Sequence, residues 1–349
     1  MTFNVDDQQQ LMEMLAARYG VRAEAVEPEA AGTETRNARV RLAGGARVFV
    51  KRYSAGTDTT AVRSALALAA YCQEAAVPTP GIWRDRDGEP VTWHAETAWC
   101  VMDEVAGHPG ATPLTVARAE SIGATLGRLH RVAADYHGPL RRRSTPWRHD
   151  APEPVANNCE RLLEYLRGRP GPQGDLRHDQ LAQRRRDLIT HSRLLQKGLP
   201  NVLADQALHG DFTRPNVLIS GDQVTAVIDF QALTGPAAWK LGRIAFDPLT
   251  VAHSATWQDT ALVVIGAYRD ENPHIPGADL IATARIALLY FLFSTFGAVT
   301  DDLDVPAHVH VGLLEYWNDK NATVNRLLAG LDAMEYALAF LVESKAGPR

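Results

Sequence analysis

The chain has 349 residues, 46% of them hydrophobic, enough to bury a sizeable core in one large or two medium domains. A formal charge of −5 and an isoelectric point near 6.2 argue against general nucleic-acid binding. Cys72, Cys100 and Cys159 stand far apart with no CxxC pair, so neither a zinc ribbon nor a disulfide framework is indicated.

The opening MTFNVDDQQQ is acidic and polar, unlike a signal peptide. Gln8 to Tyr19 has apolar residues at helical spacing and stops at Gly20, a natural C-terminal cap. Val40 to Tyr53 changes period. Val40 and Leu42, the turn Gly44-Gly45, and Val48, Val50 and Lys51 predict a hairpin. Thr60 to Ala76 is alanine-rich and helical, ended by Val77-Pro78-Thr79-Pro80. Pro90 to Trp93 and Trp99 to Val105 are the next strand candidates, and Gly107-His108-Pro109-Gly110 breaks the pattern.

Helices dominate from there: Leu114 to Ala134, Asn157 to Gly168 and His178 to Lys197. One strand-like island follows, LHGDFTRPNVLISGDQVTAVIDF at 208–230, in which Asn216 to Ile219 and Val224 to Ile228 flank the turn Ser220-Gly221-Asp222. The rest predicts helices near 256–269, 279–299, 309–318 and 321–344. The greasy run Ile286 to Val299 is too short for a membrane span and predicts a buried helix. The expectation is an α+β chain without a membrane segment, cytoplasmic by default. Its strand-rich lobe covers 1–105, and a mainly helical lobe covers 106–349 with a helical insertion near 138–200.

Charge is uneven. Residues 135–200 hold 13 Lys and Arg against 8 Asp and Glu, while 205–349 hold 9 against 17. Arg141-Arg142-Arg143 and Arg184-Arg185-Arg186 predict a solvated basic surface on the insertion. The acidic C-terminal part could attract a cationic substrate.

The island at 208–230 carries more than a hairpin needs. Asp211 and Asn216 stand five positions apart on a loop feeding a strand, in the pattern H-x-D-x4-N of phosphoryl-transfer loops. A carboxylate only accepts hydrogen bonds, which suits Asp211 to take the proton of an acceptor hydroxyl. Hard Mg²⁺ prefers oxygen ligands, and Asn216 offers a neutral one. Past the Gly221 turn, Asp229 places a second carboxylate at a strand end. Alone, Asp and Asn cap turns; the joint arrangement is far harder to reach by accident. Lys51 ends the strand Arg47-Val48-Phe49-Val50, the place for a cation reaching the α- and β-phosphates.

HGDFTRPNVL followed by VIDF resembles the aminoglycoside phosphotransferase and choline kinase group of small-molecule kinases. The order of nearly the whole chain supports it: strands with Lys51, a helix, Val77-Pro78-Thr79-Pro80, the strand Cys100 to Glu104, and the helix end Leu129-His130-Arg131. The resemblance implies a protein-kinase-like two-lobed fold and phosphoryl transfer from ATP with Mg²⁺ to a small-molecule hydroxyl. By similarity Asp211 is the catalytic base, Asn216 and Asp229 the Mg²⁺ ligands, and Lys51 the phosphate contact. The backbone of Asp103 and Val105 holds adenine, and His209 supports the loop. The implied acceptor is an antibiotic, an aminoglycoside or another amine-bearing or nucleoside compound. Homoserine, choline or a sugar is the alternative, as is a nucleotide-binding chain without transfer.

The sequence departs from the family pattern in three places. Ser64 and Ala65 stand where a helix glutamate usually pairs the strand lysine, and Glu74 sits near the far end of that helix. The nucleotide-covering loop falls at Ala31 to Asn37 with one glycine, Gly32, leaving Thr33, Thr35 or backbone N–H groups to cover the phosphates. Lys240-Leu241-Gly242 stands where an aspartate motif is usual, so either Lys240 replaces that aspartate or the stretches do not correspond.

Other chemistries fail. There is no GxxxxGK[ST] and no GxSxG, and Gly168, Gly171 and Gly174 are interrupted by prolines. His308-Val309-His310 beside Asp301, Asp302 and Asp304 reads as surface sooner than as a metal site; the aspartates could instead line an acceptor entrance. After Asp229 the chain runs directly into Gly235-Pro236-Ala237-Ala238-Trp239, leaving no room for a protein kinase's activation segment.

Overall fold

The computed structural model describes residues 3–29, 35–167, 172–300 and 307–344. Gly32, Thr33, Asp301, Asp302, Asp304 and the side chain of His308 lie outside the described residues, so the expectations placed on them stand as they were. The chain divides into two compact units: Met1–Pro109 with Val132–Arg141 and Ala207–Leu233, and Gly110–Arg131 with Arg142–Gln206 and Thr234–Arg349. The segment 207–233, assigned by the sequence to the second lobe, thus clusters with the first unit.

In the first unit α1 (Val5–Met14) starts one turn earlier than its apolar spacing shows. Asn4 and Asp7 form a reciprocal capping box, each side chain accepting from the other's backbone N–H. A π-helical turn, Leu15–Tyr19, continues it to Gly20 at φ 72°. Five antiparallel strands follow, β1 (Ala23–Glu29), β2 (Thr35–Leu42), β3 (Arg47–Tyr53), β4 (Thr92–His94) and β5 (Thr97–Asp103), in the order β1-β2-β3-β5-β4. α2 (Thr59–Glu74) intervenes, capped by Asp58. Val48 and Val50 of β3, with Trp99 and Val101 of β5, pack against Phe3, Leu11, Met14 and Leu15. Side chains alternate along a strand, so Lys51 takes the face opposite Val50.

The rest of this unit carries the island. β6 (His108–Pro109) pairs with β9 (Val217–Ser220), which pairs with β10 (Gln223–Val227). Thr225 sits at an irregularity in that ladder.

The second unit is mainly helical. α3 (Val116–Ala133) runs into it from the linker and crosses α9 (Trp257–Glu271) closely. A Cβ on Gly123 would stand 2.2 Å from the Val264 carbonyl oxygen, and one on Gly127 2.4 Å from that of Tyr268. The strand β7 (Arg141–Arg142) and helix α4 (Pro146–His149) precede the paired helices α5 (Glu153–Arg167) and α6 (Pro172–Lys197). β8 (Asp205–Leu208) leads to the island, and β11 (Leu233–Pro236) leads away into α7 (Ala237–Ala245) and α8 (Pro248–His253). α10 (Gly277–Ile281) and α11 (Thr283–Leu292) pack with α12 (Ala307–Ser344), one helix where the sequence predicts two. β6, β7, β8 and β11 also correct the reading of a single strand-like island.

The two arginine triplets part company. Arg141, Arg142 and Arg143 are exposed, as expected. Arg184 is buried, its guanidinium 5.0 Å from the Trp317 ring centroid and bonded to the Ser294 carbonyl at 3.0 Å. No described helix is long and apolar enough to cross a membrane.

Candidate active site

All six candidate residues, Lys51, Asp103, Val105, Asp211, Asn216 and Asp229, lie in the first unit. Asp211 follows Gly210, whose φ of 95° and close approach exclude a side chain: a Cβ there would lie 2.6 Å from Cβ of Gln231. The loop then tightens into a 3₁₀ turn, Arg214–Asn216. Asn216 Nδ2 donates to the Asp211 carbonyl oxygen at 2.8 Å and to its Oδ2 at 3.1 Å. With the amide nitrogen committed to Asp211, the carbonyl end of Asn216 is the end left for another donor or a cation.

Asn216 is tied to the second carboxylate through the backbone. Ile228 N–H donates to the Asn216 carbonyl at 3.0 Å, and Asp229 follows in the left-handed region at φ 63°. A non-glycine residue there is uncommon and concentrates at functional sites.

His209 holds the two ends together. Its Nδ1 accepts from the Asp211 N–H at 3.1 Å, so Nε2 carries the proton and donates to the Ile228 carbonyl at 2.8 Å. Its ring packs on Phe230, centroids 4.3 Å apart, and edge-on to Phe212 at 6.0 Å. Gln231 N–H closes the loop onto the His209 carbonyl at 2.7 Å. The histidine therefore positions both carboxylates, the role the resemblance gives it.

Lys51 reaches the same place from β3. Its ammonium donates to Asp229 Oδ1, and its side chain is 15% exposed against 44% for the aspartate. Burial lowers the lysine pKa below its ordinary value. The partner that the helix lacks is thus Asp229: α2 offers only Glu74, which is exposed. The donor set suits a hard divalent cation. A carboxylate at the mouth and an amide oxygen are oxygen ligands, and a cationic ammonium already rests against Asp229.

At the end of β5 the ladder decides which backbone groups remain. Asp103 N–H donates to the Gly81 carbonyl at 2.8 Å, and its Oδ1 accepts from Trp83 Nε1 at 2.8 Å. Its carbonyl points to the same edge, away from β3, because antiparallel pairs alternate. Val105 lies just past the strand, and its N–H has no partner among the described residues. One acceptor and one donor two residues apart match the edge of an adenine ring.

The linker after Val105 is anchored on the island by residues that no motif in the sequence marks. Thr225 Oγ1 donates to the Ala106 carbonyl at 2.6 Å, and Val227 N–H donates to that of Pro78 at 2.8 Å.

Residues 25–272 match a model described as the phosphotransferase enzyme family. The chain belongs to that family. It is accordingly an ATP-dependent small-molecule phosphotransferase. No curated protein matches the sequence. Among solved structures, a spectinomycin phosphotransferase in complex with ADP and spectinomycin is similar, with 13% identity, TM-score 0.66, and 95% of this chain and 98% of that one covered. An amicoumacin kinase in complex with AMP-PNP and Ca²⁺ has 15% identity and TM-score 0.62, covering 90% and 93%. A microcompartment-associated aminopropanol kinase has 17% identity and TM-score 0.59, covering 96% and 100%. These likenesses establish the protein-kinase-like fold.

Within this family member the second unit holds a cavity of about 290 Å³ lined by Arg143, Trp147, Trp239, Tyr290, Phe293 and Ser294. Lys240, expected to replace an aspartate or to fall outside the correspondence, is buried on α7 with its ammonium 3.8 Å from the Trp239 ring centroid. That contact is a cation–π pair.

Proposed function

We propose that this phosphotransferase moves the γ-phosphoryl group of ATP to a hydroxyl of a small molecule, with Mg²⁺ held by Asn216 and Asp229. The observation that carries the reading is the junction of Lys51, Asp229, Asn216 and Asp211 in one unit: Lys51 contacts Asp229, Asn216 contacts Asp211, and the Ile228 N–H beside Asp229 ties that end to the Asn216 carbonyl. The Asp103 carbonyl and Val105 N–H are assigned to adenine, and Lys51 to the α- and β-phosphates. Asp211 orients the acceptor hydroxyl and takes its proton as the new O–P bond forms and the bond to the ADP oxygen breaks. Bound Mg²⁺ neutralises charge on the β- and γ-phosphates.

For the acceptor, the favoured class is an antibiotic with ring hydroxyls. Two of the similar structures carry antibiotics in their names, spectinomycin and amicoumacin. The excess of acidic residues over 205–349 favours a cationic compound. A small amino alcohol is the second reading, on the likeness to an aminopropanol kinase.

A coupled ADP-release screen tests both parts. Aminoglycosides, spectinomycin, peptide and nucleoside antibiotics, aminopropanol, homoserine, choline and sugars are offered with Mg-ATP. Turnover with an antibiotic is the expected result. Turnover with an amino alcohol alone would select the second reading, and nucleotide binding without any turnover would leave a binder and overturn transfer.

A further inference from the structure

A largely buried ammonium needs a counter-charge, since an isolated ion away from water is costly. In this chain α2 supplies none. Its one carboxylate, Glu74, is exposed at the C-terminal end, and Ser64 and Ala65 stand where a glutamate was expected. Lys51 instead binds a carboxylate 178 positions away, Asp229, which is also the residue assigned to the metal. One carboxylate therefore faces two cations.

We propose that Lys51 is a positioning residue that competes with the divalent cation for Asp229, so that metal binds well only together with nucleotide, whose phosphates take Lys51 over. This rests on the Mg-nucleotide assignment made above. Metal arriving alone would have to displace Lys51 and leave its ammonium without a counter-charge. The nucleotide removes that obstacle, because its phosphates offer Lys51 new negative charge and release Asp229. Linkage then requires metal to strengthen nucleotide binding by the factor that nucleotide strengthens metal binding. Where a helix glutamate neutralises the strand lysine, the same obstacle does not arise; here the exchange follows from the residues at 64 and 65.

The full-length protein is titrated with Mn²⁺, read by electron paramagnetic resonance, with and without AMP-PNP. In the unchanged protein AMP-PNP should tighten Mn²⁺ binding by about ten-fold or more, within the usual range of coupling. Lys51→Met should bind Mn²⁺ alone several-fold tighter than the unchanged protein, and its gain from AMP-PNP should shrink. Lys51→Gln, a second neutral replacement, should behave alike and guards against a folding defect in the first. Arg47→Gln removes a positive charge from the same strand, where Arg47 pairs with Glu104, and should leave Mn²⁺ binding unchanged. Two folded Lys51 variants that bind Mn²⁺ alone no tighter overturn the proposal, as does an equal gain in Arg47→Gln, which would assign the effect to the general field. An unchanged protein that binds no Mn²⁺ even with AMP-PNP is a different result, because it overturns the metal-nucleotide assignment itself.

Discussion

Asp211 and Asp229 belong to one short segment but should fail differently when removed. Asp211 touches Asn216 and, through its N–H, His209; none of these contacts is to the adenine edge. Asp211→Asn should therefore lower kcat by about 10²–10⁴-fold, the usual contribution of a positioned base, while the Kd for Mg-ATP stays within a few-fold. Steady-state kinetics with an acceptor found by the screen, beside calorimetric titration with Mg-AMP-PNP, would separate the two. Asp229→Ala should instead weaken Mg-AMP-PNP binding itself, and unchanged binding would remove Asp229 from the metal site. His209, Asp211, Asn216 and Asp229 were legible in the sequence because they fall on one 21-residue stretch with fixed spacing. The partner of Lys51 was not, because no period or spacing rule links residues 178 apart.

Among the elements, those with a clean period were legible and those defined by partners were not. The β2–β3 hairpin announced itself through Gly44-Gly45 and alternating valines, and α2 through its alanine run. β1 went unread because AEAVEPE is poor in β-branched residues and contains Pro28, a composition tolerated at the sheet edge it occupies. β6 has only two residues and exists because the linker lies along β9. Gly107 makes that possible. Its φ is 131°, and a Cβ there would stand 2.5 Å from Thr225 Oγ1 and 3.1 Å from the Ile219 carbonyl oxygen. Gly107→Ala should cost roughly 1–3 kcal/mol of stability, the range for a side chain forced into such a backbone. It should also raise KM for ATP, because the displaced linker begins at Val105. Thermal melts and ATP-dependent kinetics check both, and an unaltered KM for ATP would show that the anchor does not reach the nucleotide edge.

On the scale of the whole molecule, stability carries a pH signature set by a buried cation in the second unit. Lys320 of α12 is fully buried, with Nζ 2.6 Å from the Phe296 carbonyl oxygen and 4.7 Å from the Trp317 ring centroid. Desolvation, reinforced by repulsion from Arg184, pushes its pKa well below the ordinary lysine value. Folding therefore makes the ammonium easier to deprotonate, whereas the unfolded chain keeps its proton up to about pH 10.4. Across the interval between those values the unfolded state binds more protons, so stability rises with pH. Below the depressed folded value both states are protonated and the full desolvation cost remains. Lys320→Met keeps the length and loses the charge, removing that cost together with the hydrogen bond to Phe296. It should raise the melting temperature near neutral pH, since apolar replacement of a buried ion is often neutral or stabilising. It should also flatten the rise in melting temperature between neutral pH and about pH 10. Calorimetric scans of both proteins across that range decide it: an equal rise in the two would mean that Lys320 keeps its proton in the folded state, held by the Phe296 carbonyl and the Trp317 ring.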